Sequence, residues 1–231
     1  MADVRTITQP CALDLECPEG VAPPTDASLE LARYLFSVRG KSVLDLGSGT
    51  GLFAIVASKL GAREVVATDL SPAAVECTKR NAQRNRAPIS VRSGDLFDPV
   101  RGEKFDVIVT APPQMPAPPG VRGPEWGGPD GLLYFDPILL QALKYLEEGG
   151  QLITLLTSLA DTKRFEGTLS ESFRFRALPK GRREISREEL DRLHPALYDF
   201  LQERRKKGLA EFEEEAGTLI TSTRYYMAIR R

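Results

Sequence analysis

The pattern of apolar residues along the chain predicts strands and helices that alternate as far as residue 158. Short apolar runs, typical of buried strands, are followed by segments whose apolar residues recur every three or four positions, as on one face of a helix. This alternation is typical of an α/β fold with a mostly parallel sheet, doubly wound by helices on both faces. The predicted strands are 42–46, 64–68, 89–92, 105–109 and 151–157, and the predicted helices are 52–60, 73–85 and 136–145.

The last third of the chain adds two strands and a long helical stretch. Residues 173–178 and 219–229 alternate between apolar and polar positions, which predicts two more strands. Between them, residues 186–207 have helical periodicity, with an apolar stripe that must be buried against another part of the protein. We therefore expect a seven-stranded sheet whose last strand is antiparallel, with residues 186–216 inserted as a helical cap before it. The stripe consists of Leu190, Leu193, Leu197, Phe200 and Leu201.

The start of the chain predicts a hairpin and a helix. Residues 4–8 and 11–16 alternate between apolar and polar positions on either side of Pro10, as the two strands of a hairpin do. A proline-rich loop follows. Thr25 or Asp26 is expected to cap the helix that begins behind this loop.

Composition narrows the class of protein. With 231 residues and 42% apolar content, the chain suits one domain, 1–231, in which residues 1–38 form the N-terminal hairpin and helix. Lys plus Arg (31) nearly balance Asp plus Glu (32), which disfavours a nucleic-acid partner. Cys11, Cys17 and Cys77 form no Cys-x-x-Cys pair, which argues against a disulfide framework or a metal site. No apolar run approaches 18 residues and no signal peptide is recognisable, so we expect a cytoplasmic protein without a membrane partner.

A glycine-rich turn follows the predicted strand 42–46. Gly47, Gly49 and Gly51 alternate behind Asp45, and a helix begins directly after them. Glycine permits backbone conformations that side chains forbid, and it lets the backbone approach a ligand closely. A turn that binds nothing is one alternative. A dinucleotide site is another, although such sites space their glycines G-x-G-x-x-G.

The acid-led turn resembles the first motif of class I S-adenosylmethionine (SAM)-dependent methyltransferases, in which this loop wraps the amino-acid end of SAM. The resemblance implies that Asp69, 18 residues beyond Gly51, accepts hydrogen bonds from the ribose; a solvated acid at a strand end is the alternative. Asp95 and Leu96 resemble the family's adenine-binding motif. Thr25 matches a loop that packs over the cofactor, or is only a helix cap. The resemblance implies SAM contacts with Thr25, Asp45, Gly47, Ser48, Gly49, Thr50, Gly51, Asp69, Leu70, Gly94, Asp95, Leu96 and Thr110.

A second motif follows the strand 105–109. It resembles the Asn-Pro-Pro-aromatic motif of nitrogen methyltransferases, in which the Asn side chain and a backbone carbonyl hold the acceptor amine. The resemblance implies a catalytic segment of Ala111, Pro112, Pro113 and Gln114. Ala111 replaces the Asn, so that side-chain acceptor is missing, whereas the rigid Pro-Pro turn and its carbonyls are kept. Gln114 replaces the aromatic residue, and either offers its amide to the substrate or faces solvent.

Residues 127–131, Gly-Gly-Pro-Asp-Gly, resemble the stretch that follows this motif in the glutamine-methylating branch, which modifies peptide release factors. Trp126 is then either a substrate wall or a core residue. In the predicted cap, His194 and Tyr198 lie one turn apart and could face the acceptor as proton acceptor or hydrogen-bond donor, or lie on the surface. The basic run 204–207 is interpreted as a solvated helix end.

The resemblance implies transfer of the SAM methyl group, most readily to nitrogen, on a small molecule or a protein side chain. Alignment and desolvation would supply most of the rate, and no metal is required. Two alternatives stay open because of Ala111. The protein could bind SAM without transferring its methyl group, or it could methylate oxygen, sulfur or carbon.

Overall fold

The structure is a computed structural model that describes residues 3–7 and 11–231. Short 3₁₀ helices occupy Tyr34–Ser37 and Asp98–Val100. The strands are β1 Asp3–Ile7, β2 Leu13–Cys17, β3 Ser42–Leu46, β4 Glu64–Asp69, β5 Ser90–Ser93, β6 Phe105–Thr110, β7 Leu146–Thr157, β8 Phe173–Ser186, β9 Glu213–Glu215 and β10 Thr218–Arg230. The helices are α1 Asp26–Arg33, α2 Leu52–Lys59, α3 Pro72–Arg84, α4 Phe135–Tyr145, α5 Thr162–Ser172, α6 Arg187–Leu193 and α7 Leu197–Lys206.

Seven strands form a sheet in the order β5-β4-β3-β6-β7-β10-β8, and the short β9 pairs antiparallel with β10. The strands β5, β4, β3, β6 and β7 run parallel to one another. Leu44 of the central strand β3 lies beside Val66 on one side and Ile108 on the other. All three side chains are fully buried. Every position of β3 is buried, as expected for a parallel strand that is covered on both faces. The predicted doubly wound fold, mostly parallel with an antiparallel last strand, is confirmed.

The contacts within the chain divide it into two compact units. Unit 1 comprises Met1–Ala111, Gln141–Thr154 and Ile229–Arg231, and unit 2 comprises Pro112–Leu140 and Leu155–Ala228. Unit 1 contains the parallel strands β3 to β6, whereas unit 2 contains β8 and the helices α5 to α7.

In the hairpin of unit 1, β1 pairs antiparallel with β2, from Asp3 beside Cys17 to Ile7 beside Leu13. Two residues of the predicted hairpin, Thr8 and Pro10, lie outside the described residues.

Several boundaries differ from the prediction. β7 begins at Leu146 instead of Gln151, and β8 continues to Ser186, eight residues beyond the predicted end. The predicted helix 186–207 is two helices because Pro195 interrupts it. A proline disfavours the helical conformation of the residue before it. His194 is accordingly extended, with φ −165° and ψ 131°.

Among the helices built from the described residues, none is both long enough and apolar enough to cross a membrane.

Candidate active site

The carboxyl ends of four neighbouring strands lie at one edge of the sheet in unit 1. β3, β4, β5 and β6 are parallel and adjacent, and they end at Leu46, Asp69, Ser93 and Thr110. Ligands bind to doubly wound sheets at this edge. The fold therefore brings the glycine-rich turn, Asp69, the segment 94–96 and Thr110 to the same edge, as the sequence predicts.

The glycine-rich turn has a backbone that only glycine adopts readily. Gly47, Gly49 and Gly51 have φ of +78°, +54° and +80°. A Cβ added at Gly47 or Gly49 would have no atom within 4 Å, so open space lies beside both residues. At Gly51 a Cβ would lie 2.9 Å from Cγ2 of Thr78. The turn is thus packed against α3 on one side and open on the other.

Asp69 ties the end of β4 to the turn. One carboxylate oxygen accepts a hydrogen bond from the Gly49 N–H and the other from the Ser71 N–H, both at 2.9 Å. The Asp69 carbonyl also accepts from the Gly94 N–H at 3.0 Å. Each carboxylate oxygen keeps a second lone pair, and the side chain is only half-buried. Asp69 therefore both shapes the turn and can accept further hydrogen bonds from a ligand.

Asp45 is the buried acid behind the turn. Its Oδ2 accepts a hydrogen bond from the Ala54 N–H at 2.9 Å, while Oδ1 is buried without a hydrogen-bond partner. Burial, together with the smaller effect of the Asp69 charge, raises the pKa of Asp45 to about 7. A cation beside Oδ1 would supply the missing partner and favour the ionised form. The ammonium group of SAM has this chemistry.

The other predicted cofactor residues have diverse surroundings. Leu70 is 65% exposed beside Asp69, and Asp95 is exposed behind β5. Thr25 caps α1 in a capping box with Ser28, so its hydroxyl serves the helix start. The Thr110 hydroxyl is buried and donates to the Leu46 carbonyl at 2.8 Å. The side chain of Thr110 therefore supports the strand ends, and a contact between this residue and SAM stays a prediction.

Two turn residues predicted to contact SAM also use their polar groups inside unit 1. The Ser48 hydroxyl lies 3.0 Å from that of Thr78, and the Thr50 carbonyl accepts a hydrogen bond from Asn81. Both residues are buried. These hydrogen bonds attach the turn to α3.

In unit 2, the fold uses part of the Gln114 carboxamide. Its Oε1 accepts a short hydrogen bond from the N–H of Thr157, at the end of β7. Its Nε2 donates to the Pro112 carbonyl at 3.4 Å. The carboxamide oxygen is therefore used by the fold, and only the amide nitrogen retains a proton for a substrate. Pro113 is exposed, whereas Pro112 is half-buried.

The glycines of residues 127–131 pack directly on this segment. A Cβ at Gly127 would lie 2.6 Å from Cα of Gln114, and one at Gly131 would lie 2.7 Å from its carbonyl oxygen. The Gly127 N–H donates to the Met115 carbonyl, and the Ala117 N–H donates to the Gly128 carbonyl, both at 2.8 Å. The glycines are therefore required for close backbone contact, and they fix the conformation of the Pro-Pro turn.

Trp126 is a core residue. It is 4% exposed and belongs to a buried apolar cluster of unit 2. This corrects the interpretation of Trp126 as a substrate wall. A tryptophan lying among prolines and glycines gives no sequence signal that separates the two roles. The cluster comprises Ala117, Trp126, Leu159, Ile185, Leu190, Leu197, Leu201, Ala210, Phe212 and Leu219.

The helices α6 and α7 contribute three of these leucines, so most of the predicted apolar stripe is buried. Leu193, the last residue of α6, is the exception at 47% exposed. His194 accepts a hydrogen bond at Nδ1 from the Ala196 N–H at 3.2 Å. The Tyr198 hydroxyl donates to Glu214 in a short hydrogen bond, which raises the pKa of the tyrosine. Both residues are used locally, and Tyr198 is poorly suited to accept a proton.

Arg204 is a buried residue that the sequence reasoning missed. It is 6% exposed and donates to the carbonyls of Pro129 and Leu209, each at 2.8 Å. The interpretation of the whole run 204–207 as solvated was therefore wrong at this position. Arg204 follows Leu197 by seven residues and Leu201 by three, which places it on the apolar face of α7 and could have indicated its burial.

Among the residues that the structure describes, no group of three or more His, Cys, Asp or Glu side chains could hold a metal ion.

Comparisons with known proteins agree with this geometry. The pattern of the methyltransferase small-domain family matches residues 25–183. A protein of Methanocaldococcus jannaschii, named as a protein N5-glutamine methyltransferase, is 37% identical over 149 residues, which cover 62% of this chain and 75% of the relative. The release factor glutamine methyltransferase of Geobacter sulfurreducens is 34% identical over 160 residues, 63% of this chain and 56% of that protein.

Solved structures share the fold. A T. thermophilus 16S rRNA methyltransferase, solved in complex with AdoMet and guanosine, aligns over 100% of this chain and 50% of its own with a TM-score of 0.62 at 20% identity. The chain thus spans about half the length of that structure. The family match, together with the glycine-rich turn and the acids at the strand ends, shows that the chain belongs to the methyltransferase small-domain family of SAM-dependent methyltransferases.

Proposed function

We propose that this protein transfers the methyl group of SAM to a nitrogen atom of a protein side chain, with a glutamine amide as the first acceptor to test. The observation that carries the proposal is the Pro-Pro turn held by glycine contacts, with Gly127 and Gly131 packed on the backbone of Gln114. The two relatives above are named as glutamine methyltransferases, and this segment contains the residues through which the chain resembles that branch.

The residues of unit 1 fit SAM. Asp45 would accept a hydrogen bond from the ammonium group through its unpartnered Oδ1. Asp69 would accept from the ribose hydroxyls through its remaining lone pairs, and the open space beside Gly47 and Gly49 leaves room for the ligand. Leu70 and Leu96 would cover the adenine ring, with Asp95 at its amino group. SAM supplies an activated methyl group on a sulfonium ion.

The acceptor is positioned by the backbone. An amide nitrogen is a poor nucleophile because its lone pair is delocalised, so the site must fix its N–H groups while the nitrogen approaches the methyl group. With Ala111 in place of Asn, the proposed acceptors for these N–H groups are the backbone carbonyls of the segment 111–113, held by the rigid prolines. The Nε2 group of Gln114 can donate to the acceptor's carbonyl oxygen.

We also propose that α6 and α7 support the segment that binds the methyl acceptor. Leu190, Leu197 and Leu201 lie in one buried cluster with Trp126, and Met115 packs against it. Because Met115 directly follows Gln114, these helices support the back of the proposed catalytic segment. They would influence acceptor choice through that support.

A nucleic-acid acceptor is the second candidate, and one feature of unit 2 favours it. Arg174 and Arg176 are exposed on alternate positions of β8, and no ion pair with a described residue involves either of them. By contrast, Arg182 and Arg183 on the same strand pair with Glu184 and Glu189 at 3.2 and 2.6 Å. Unpaired arginines of this kind can bind phosphates.

The test is transfer of a labelled methyl group. The protein is first titrated with SAM and with its demethylated product by calorimetry, and then incubated with labelled SAM and a bacterial release factor or a cell extract. We expect label that survives ribonuclease, is lost on proteolysis, and maps by mass spectrometry to a glutamine side chain. Ribonuclease-sensitive label would establish the second candidate. SAM binding without labelled product would show a binding protein without transferase activity.

A further inference from the structure

The outer edge of β2 is paired with two asparagine side chains. Oδ1 of Asn81 accepts a hydrogen bond from the Glu16 N–H at 2.8 Å, and its Nδ2 donates to the Glu16 carbonyl at 2.9 Å. Asn85 makes the same pair of bonds with Asp14, at 3.1 and 2.8 Å. Two strand residues span about 6.6 Å and four helix residues about 6 Å, so amides one turn apart match alternate strand positions. Through these four hydrogen bonds, the hairpin is docked on α3.

Asn81 differs from Asn85 in the other contacts of its Nδ2, which include Cys77 Sγ at 3.4 Å within the same helix. The second N–H of Asn81 Nδ2 donates to the Thr50 carbonyl in the glycine-rich turn at 2.9 Å. The corresponding N–H of Asn85 donates to the Asn81 carbonyl, within its own helix, at 2.8 Å. Asn81 is completely buried, and one carboxamide therefore joins the hairpin to the turn.

Neighbouring groups strengthen both ends of this connection. At the turn, the Thr78 hydroxyl donates to the Gly49 carbonyl at 3.0 Å. At the hairpin, the Glu16 carboxylate forms ion pairs with Arg80 and Arg84 at 3.4 and 3.5 Å. The carbonyls of Gly49 and Thr50 are thus bound by side chains of α3. The positions where a Cβ at Gly47 or Gly49 would lie stay open.

We propose that Asn81 is a positioning residue through which SAM binding depends on docking of the N-terminal hairpin. When β2 undocks, the carboxamide loses both of its bonds to Glu16 and no longer holds the Thr50 carbonyl in place. The turn then loses the backbone conformation that faces the ligand. Because coupling is reciprocal, bound SAM favours the docked hairpin by the same factor. The inference rests on the proposed SAM site at the turn.

The first test compares the dissociation constants of SAM for the wild-type protein, Asn81→Ala and Asn85→Ala, measured by calorimetry together with melting temperatures. Each variant loses the same pair of bonds to β2, so Asn85→Ala is a matched control. We expect Asn81→Ala to weaken SAM about tenfold, within the usual range of coupling between sites, and Asn85→Ala to weaken it no more than about twofold. Equal weakening by the two variants would overturn the inference. A wild-type protein that does not bind SAM would overturn the proposed function and this inference together.

Hydrogen exchange provides a second measurement, and its wild-type comparison does not depend on the stability of any variant. In the wild-type chain, SAM is expected to slow exchange of the Glu16 and Asp14 amide protons about fivefold or more. In Asn81→Ala at saturating SAM, the Asp14 amide should no longer respond, although its own partner Asn85 is intact. Hairpin amides that exchange at the same rate with and without SAM in the wild-type protein would refute the coupling.

Discussion

The glycines of the two units serve different physical needs. In the turn of unit 1, Gly47 and Gly49 have positive φ and empty space beside them, so the backbone conformation requires glycine. In unit 2, Gly127 has no such φ, but a side chain there would overlap the backbone of Gln114. The first need is local and follows from a sequence motif. The second depends on a long-range contact, so substitutions should affect the two units differently.

The largest effect is expected from Gly127→Ala. A Cβ 2.6 Å from Cα of Gln114 must displace the Pro-Pro segment, and a shift of about 1 Å in a catalytic segment can lower a rate about a hundredfold. The dissociation constant of SAM should change by less than about twofold, because the proposed SAM contacts lie in unit 1. Methyl transfer and calorimetry measure the two effects separately.

Gly167→Ala is the matched control for this variant. Gly167 lies within α5 of the same unit and has no atom near its added Cβ. Alanine there should raise the free energy of unfolding by about 0.5–1 kcal/mol and leave transfer unchanged. If Gly127→Ala transferred methyl groups at the wild-type rate, the difference between the two units would be refuted.

The next largest effect is expected from Asp69→Ala, which removes both the proposed ribose bonds and the acceptor of the Gly49 N–H. We expect the dissociation constant of SAM to rise about tenfold to a hundredfold, since each charged hydrogen bond contributes about 1.5–3 kcal/mol. Asp98→Ala is the control, because Asp98 is exposed and forms an ion pair with no described residue other than exposed Arg101. Equal affinities for Asp69→Ala and the wild-type protein would locate the ribose elsewhere.

A smaller effect is expected from pH, through Asp45. Its pKa is raised to about 7, so the free protein holds a proton there that the SAM ammonium must displace. SAM should therefore bind about tenfold more tightly at about pH 7 than at about pH 5.5. For the free protein the sign is opposite: the folded-state pKa exceeds the unfolded one, so the free energy of unfolding falls as pH rises from about 4 to about 7.

Asp45→Asn is the control for this pH dependence. Asparagine keeps the shape of the side chain but cannot ionise, so binding should be weak and nearly independent of pH below about pH 7. A wild-type affinity that stays constant across this range would show that Asp45 is ionised before SAM binds.

The smallest effect is expected from Tyr198→Phe in unit 2. The lost hydrogen bond to Glu214 lies on the surface, so the free energy of unfolding should change by less than about 1 kcal/mol and methyl transfer should not change. Chemical denaturation and a transfer assay measure both. A tenfold loss of transfer would place the hydroxyl in the acceptor site after all.

Sequence reasoning predicted the sheet, the turn and the strand-end acids because each follows from local rules. Apolar runs specify strands, and glycines at positive φ specify the turn after β3. The roles of Trp126 and Gln114 depend on partners far along the chain, such as the Thr157 N–H that Gln114 accepts from. Arg204 was missed because basic residues at a helix end usually meet solvent, and only its spacing from Leu197 and Leu201 indicated otherwise.

The edge strand β8 has a consequence for the behaviour of the protein in concentrated solution. Within the described residues, β8 has a neighbouring strand on one side only, and its 14 residues leave a long row of backbone groups available to another chain. If two copies pair at this edge about residues 174–176, Arg174 and Arg176 of one copy lie beside those of the other, and this repulsion opposes association. Salt screens such repulsion over about 10 Å at 0.1 M ionic strength, so self-association of the protein should increase as salt is added.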